Sequence, residues 1–350
     1  MTFVYFILIM LAIILVHEIG HLVAAKIFKV YCYEFSFGMG PKLYSFQGKE
    51  TKYSIRLLPI GGFVQMAGEI EDEKELYPEI YVPKERSFKN ISHYKKIIIL
   101  FAGVFMNILL AWFIVSGIIL SVGSYALPNK TIIAGVAENS PAASAGFKIN
   151  DEIIKVKLSD GTIIKPKTFD DFAVFTQTYP DEITYTVKRD EKLIDIDVKG
   201  QLDEGRYVIG IMQPEIEFVE VNFFSSFKYG FDYLSTQTKT LFKSLTRLIQ
   251  GNGLEQMSGP VGIYKITDTQ VQYGFKNVLL LVAVLSLNIG IFNLIPLPAL
   301  DGGRIILVLY EWISGKKVNK KIETYLIGFS FMLLMLMVVL VTAQDILRLF

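Results

Sequence analysis

Four stretches of the chain are long and apolar enough to cross a bilayer. They cover residues 3–25, 97–127, 278–300 and 324–344, and a hydrocarbon core of roughly 30 Å needs about 20 mostly apolar residues. The last three contain no charged residue. The first is interrupted only by His17, Glu18 and His21. A secretory signal peptide is the competing reading of the first stretch. Against it, Met1-Thr2 offers no basic flank, and ionisable groups sit inside the apolar run. The pattern predicts a polytopic α-helical membrane protein with four transmembrane helices.

Between the spans the periodicity changes. Tyr53, Ile55 and Leu57 alternate with polar or basic neighbours before Pro59-Ile60-Gly61-Gly62, and apolar residues resume at Phe63, predicting strand, turn and strand over about 51–68. Short β-branched runs at 131–136, 152–156, 183–187 and 193–198 are separated by Gly, Asp, Asn and Pro, as in a small mixed β domain. Residues 223–249 place Phe and Leu at helical intervals with Lys on another face, the pattern of a helix lying along a membrane surface. Residues 69–79 read as an acidic, solvated loop. The expected order is a span at 1–28, a loop at 29–95 with the hairpin, and a span at 96–127. A domain at 128–213 and an amphipathic linker at 214–276 follow, then spans at 277–303 and 322–350 joined by 304–321.

Charge sets the orientation. Twelve Lys and Arg lie from Lys26 to Lys96 and none precedes the first span, so the positive-inside tendency makes that loop cytoplasmic. Arg304, Lys316, Lys317, Lys320 and Lys321 between the last two spans agree. Both termini and the segment from about 128 to 276 then lie outside. The whole chain carries 35 Lys+Arg against 34 Asp+Glu, net +1, so no overall field calls for nucleic acid. A single cysteine, Cys32, excludes a disulfide framework and any Cys-rich metal site. A metal here needs His and carboxylates.

Three histidines are present, and His17 and His21 stand four apart in an H-E-x-x-H pattern. On a helix they share one face and can bind one Zn²⁺, with Glu18 beside the site of water attack. An ionisable group at the bilayer centre costs on the order of 2.5–3.5 kcal/mol, so three polar groups in one span call for a compensating interaction such as metal ligation. A hydrolytic zinc usually takes three protein ligands. His93 sits among Lys and Ser before the second span and reads as an interfacial side chain. Asp301 ends the third apolar run after Pro296 and Pro298, which cannot continue a helix; broken backbone at membrane depth is tolerated where it is covered or lines a cavity. The alternative for Asp301 is a simple cap on a following helix.

The segment His17–His21, the AGVFMN run at 102–107, SGPVGI at 258–263 and NLIPLPALDGG at 293–303 closely resemble the bacterial site-2 proteases, the RseP-type intramembrane zinc metalloproteases. The order of parts is similar over almost the whole chain. The resemblance implies a zinc endopeptidase of the bacterial inner membrane that cuts transmembrane segments of single-span proteins or signal peptides, with anti-sigma factors and remnant signal peptides as substrate classes. It implies that His17, His21 and Asp301 ligate Zn²⁺, that Glu18 is the general base and acid, and that Asn293 holds substrate or the oxyanion. It further implies a cytoplasmic membrane-associated β-hairpin and an extracytoplasmic PDZ domain. The insert has room for one PDZ domain of about 80–90 residues rather than a tandem pair. Residues 135–146, a strand leading into a small-residue helix, resemble the core of such a domain; either peptide binding by strand addition or steric capping fits it.

Two other classes use similar residues. A membrane metal-ion transporter also places His, Glu and Asp in spans, but needs no PDZ-like domain. A non-catalytic PDZ-bearing adaptor does not need Glu18 between two histidines.

Overall fold

The computed structural model describes residues 1–350 except 70–75, 180, 204–205, 250–257 and 349–350. Most of the acidic stretch 69–79, part of the 214–276 linker and the end of the last span therefore lie outside the described residues. The chain forms two compact units, one of Met1–Ser121 with Phe223–Phe350 and one of Val122–Asn222.

The first unit opens with α1 (Thr2–Ile27), the paired strands β1 (Cys32–Gln47) and β2 (Lys52–Met66), and α2 (His93–Val122). The second unit carries α3 (Pro141–Ala145) and α4 (Phe169–Thr178) beside a four-stranded antiparallel sheet. Its strands β3 (Glu152–Leu158), β4 (Ile163–Ile164), β5 (Glu182–Arg189) and β6 (Lys192–Lys199) run in the order β4-β3-β5-β6. The chain then returns to the first unit as α5 (Phe223–Ile249), α6 (Pro260–Gln272), α7 (Phe275–Phe292), α8 (Asp301–Ser314) and α9 (Lys320–Leu347).

Among the described residues, four helices are long and apolar enough to cross a membrane: Thr2–Ile27, His93–Val122, Phe275–Phe292 and Lys321–Leu347. They overlap the four stretches read from hydropathy. Leu336, Val339 and Leu340 on α9 are exposed, as apolar side chains are when their solvent is lipid. The inward faces pack conventionally. Ile9 and Ile13 of α1 meet Val278, Leu281 and Val282 of α7, while Ala24 and Ala25 share a cluster with Ile99 and Leu100 of α2.

The sheet differs from the expected hairpin over about 51–68. Residues 62–66 do not fold back on 53–57; both stretches pair with β1. Phe35 lies opposite Val64 and also opposite Tyr53, while Tyr44 and Phe46 lie opposite Ile55 and Tyr53. The first half of β1 is thus flanked on both sides by β2, and among the described residues the stretch 62–66 has β1 on one side and no strand on the other. The strand signal in β1 is present, with Tyr33, Phe35, Phe37 and Met39 alternating with Glu34, Ser36, Gly38 and Gly40 before the phase shifts to Tyr44 and Phe46; what the sequence does not state is that two stretches of β2 share this one partner.

Two boundaries also move. The second span ends at Val122, and Ser124–Ala126 instead pairs antiparallel with Phe218–Glu220, pinning both ends of the inserted unit together. The third span ends at Phe292, and Asp301 begins a separate helix, α8, inside the segment expected to finish that span and open the connection. In the second unit, Ile153, Val156, Phe172, Ile183, Tyr185 and Val187 form the core. There α3 is built by local rules: Ser140 Oγ accepts from the Ala143 amide at 3.2 Å, Pro141 opens the helix, and Gly146 closes it in the left-handed region.

Candidate metal centre

His17 and His21 project from one face of α1 and are buried, at 8% and 7% exposure. Their Nε2 atoms lie 3.2 Å apart, as a spacing of one helical turn allows. The other nitrogen of His21, Nδ1, lies 2.8 Å from the carbonyl oxygen of Ile99 on α2. Four residues further along α2, Gly103 faces both rings. A Cβ there would stand 2.5 Å from His21 Nε2 and 2.8 Å from His17 Cε1, so only glycine lets the two helices approach this closely. Another four residues on, the fully buried Asn107 brings Nδ2 to 3.4 Å from His17 Nδ1.

Asp301 reaches the same point from a loop. After α7 stops at Phe292, Pro296 and Pro298 supply no amide hydrogens, and the Gly302 amide donates back to the Asn293 carbonyl at 2.7 Å. That bond closes the loop tightly enough that a Cβ on Gly302 would fall 2.2 Å from the Leu294 oxygen. Asp301 Oδ2 then lies 3.1 Å from His17 Nε2 and 3.4 Å from His21 Nε2. That oxygen is buried and accepts no hydrogen bond among the described residues. Among the described residues, His17, His21 and Asp301 form the group of ligating side chains whose donor atoms fall within 4.8 Å of one another.

These side chains face a cavity of about 400 Å³, also lined by Glu18, Asn293, Arg304 and residues 61–64 of β2. Glu18 packs against β2, where a Cβ on Gly62 would be 3.0 Å from its Cγ. Asn293 Nδ2 lies 3.5 Å from His17 Nε2. Arg304 donates to Glu69, just past β2, and Glu69 in turn accepts from the Met66 amide at 3.2 Å. His93 lies elsewhere, stacked on Trp312.

The sequence pattern of peptidase family M50 matches residues 5–337. The chain belongs to that family. It is 35% identical over 355 residues to the protein named "Putative zinc metalloprotease FN1322" of Fusobacterium nucleatum, covering all of both chains. It is 31% identical over 427 residues to "Regulator of sigma-W protease RasP" of Bacillus subtilis, and 31% identical over 428 residues to "Zinc metalloprotease RasP" of Shouchella clausii. Each of those matches covers all of this chain and 99% of the relative. Membership and the four apolar helices make it a polytopic membrane peptidase.

In this M50 peptidase, two imidazoles and a carboxylate converge with one buried carboxylate oxygen left without a partner. That donor set fits a tetrahedral zinc with one position open to solvent or substrate. All five residues singled out by sequence, His17, Glu18, His21, Asn293 and Asp301, border one cavity. Four features had no site role assigned from the sequence: the Ile99 carbonyl, Gly103 and Asn107 within the 102–107 run, and Arg304. Asn107 had a legible signal, being an amide inside an uncharged apolar run. The Ile99 carbonyl had none, because every residue has one.

Proposed function

We propose that this M50 peptidase is an intramembrane zinc endopeptidase in which His17, His21 and Asp301 hold the metal and Glu18 moves the protons. The observation that carries the reading is the convergence of His17 Nε2, His21 Nε2 and Asp301 Oδ2 at a cavity that Glu18 also lines. The cofactor is zinc, which when bound supplies Lewis acidity to the scissile carbonyl and the attacking water. Glu18 takes the proton from the attacking water and delivers it to the leaving amine, which requires it to stand beside the ligands without being one. Asn293 Nδ2 offers a hydrogen bond to the carbonyl oxygen as charge develops, a contact of the kind worth about 2.7–4 kcal/mol in proteases.

A substrate helix hides its own amides and must be presented extended. The stretch 62–66, which among the described residues has β1 on one side only and the cavity on its path, supports capture by strand addition. Basic residues between Lys26 and Lys96 and around Lys316 argue that this sheet faces the cytoplasm, with both termini and the inserted unit outside. The strand, short helix and strand at Gly135–Val136, α3 and β3 support a PDZ-type domain in that unit. The substrates are transmembrane segments of single-span proteins, anti-sigma factors or remnant signal peptides.

The test measures metal and activity together. Purified protein is expected to hold about one zinc per chain. Ala at His17, His21 or Asp301 lowers zinc and proteolysis together, whereas Glu18→Gln abolishes proteolysis and keeps the zinc. Full zinc and activity in Asp301→Ala would end the ligand assignment.

A further inference from the structure

We propose that Asn107 is the positioning residue for His17: its side-chain oxygen accepts the His17 Nδ1 proton and so keeps the Nε2 lone pair aimed at the metal position beside Asp301. The inference rests on the reading of His17 as a zinc ligand.

A neutral imidazole that binds metal through one nitrogen carries its proton on the other, and that proton needs an acceptor if the ring is to stay in one orientation. For His21 the acceptor is plain, since Nδ1 lies 2.8 Å from the Ile99 carbonyl oxygen. Ile99, Gly103 and Asn107 follow one another at intervals of four along α2 and form a single ridge. That ridge meets His17 and His21, themselves four apart, on α1. The first position of the ridge serves His21, the second clears room for both rings, and the third faces His17. The Asn107 amide lies 3.4 Å from His17 Nδ1. It is fully buried, and its Oδ1 has no partner among the described residues.

Amide oxygen and nitrogen are nearly equal in size, and which of them faces a neighbour is selected by the neighbour's proton. With Nδ2 toward the ring, His17 must accept at Nδ1 and therefore carry its proton on Nε2, the atom 3.1 Å from Asp301. Ligation through Nε2 removes that possibility. A half-turn about the Cβ–Cγ bond presents Oδ1 to the Nδ1 proton instead. The turn exchanges one unpartnered amide atom for the other, so the imidazole proton decides the orientation. Neighbouring contacts fix the backbone from which the Asn107 side chain projects. Ser286 Oγ donates to its carbonyl at 2.9 Å, and a Cβ on Gly290 of α7 would stand 3.3 Å from its own Cβ.

Zinc affinity is the first readout, taken on the full chain in detergent by competition against a chelator. Asn107→Leu, which removes the acceptor, should weaken zinc binding about 10- to 100-fold, the range for outer partners of metal-ligating histidines. Asn107→Asp, which only accepts, should stay within about threefold of wild type or bind more tightly, by the same logic. A role in packing alone predicts equal losses in the two variants. Asn107→Leu binding zinc as wild type does, or Asn107→Asp falling as far as Asn107→Leu, overturns the proposal. His17→Ala separates the levels: if it keeps wild-type zinc, the ligand reading fails and this one with it, while zinc lost there but kept in Asn107→Leu defeats only the role of Asn107. Should Asn107→Leu not fold, the Nδ1 proton resonance of His17 in zinc-loaded, ¹⁵N-histidine-labelled protein decides. It should move further downfield in Asn107→Asp, and an unmoved resonance rejects the hydrogen bond.

Discussion

The amide of Gly302 donates to the carbonyl of Asn293 across a loop containing two prolines, and that one bond of 2.7 Å brings the ends of α7 and α8 together. Asn293 and Asp301 reach the same cavity because of it. Gly302→Ala must open the loop, since the new Cβ would meet the Leu294 oxygen at 2.2 Å. Displacing Asp301 by about 1 Å should cost on the order of 100-fold in proteolysis, together with a measurable fall in zinc content. Wild-type zinc and rate in this variant would mean that the loop tolerates opening and that closure does not set the ligand.

The free side of β2 gives a second expectation. The Ala67 amide donates to Tyr31 on the β1 side, and the Met66 amide turns the other way to reach Glu69. Alternation along a strand then points the Val64 amide away from β1 and the Gln65 amide into the ladder. Val64→Pro should slow cleavage of a transmembrane substrate about five- to tenfold relative to Val64→Ala, the worth of one hydrogen bond of roughly 1 kcal/mol, with zinc unchanged. Gln65→Pro should damage the sheet itself and lower the unfolding temperature. Equal cleavage by the proline and alanine variants at position 64 argues for a purely structural sheet.

Removing the inserted unit tests its role. The Leu127 amide donates to the Glu217 carbonyl at 2.9 Å, continuing the pairing of Ser124–Ala126 with Phe218–Glu220. The cut ends are therefore neighbours that a short turn can join. Deleting 128–216 is expected to keep the zinc, because no proposed ligand lies in that unit, and to raise cleavage of substrates that retain a folded outer domain. Four rates decide it: trimmed and untrimmed substrate, each with intact and deleted enzyme. An unchanged ratio between substrates discards a size filter, and selective loss of trimmed-substrate cleavage favours peptide capture.

Acid should loosen the base of the sheet before it reaches the spans. Glu50 accepts from Arg86 Nη1 and Nη2 at 2.8 and 2.9 Å and from Lys26 at 3.1 Å, and these partners, Arg86 foremost, hold its carboxyl down at about 2. A depressed folded value means the stabilisation is complete above the ordinary value of 4.5 and is lost as pH falls from there through about 2. Unfolding temperature measured from pH 6 to pH 2 should fall over that window in the wild type and less steeply in Glu50→Gln. Parallel curves for the two proteins would show that other carboxylates set the acid response.

Hydropathy alone located the four long helices, because lipid exposure forces long uncharged runs that no soluble helix needs. Spacing alone paired His17 with His21, since four residues return to the same helical face. The proline-broken run ending at Asp301 likewise marked a place where backbone had to be covered. What tertiary structure decided was everything that depends on close approach between distant elements. Asn107 reads as one polar residue in a span until α2 is laid against α1 and its amide meets His17. Gly103 matters only because two imidazoles press on it. The alternation of Tyr33, Phe35, Phe37 and Met39 marks β1 as a strand, but its pairing with both 52–55 and 62–66 of β2 is set only by the fold. Periodicity is a property of one segment facing one surface. Ligand orientation, loop closure and strand pairing are set by contacts between segments, and those contacts exist only once the helices have packed.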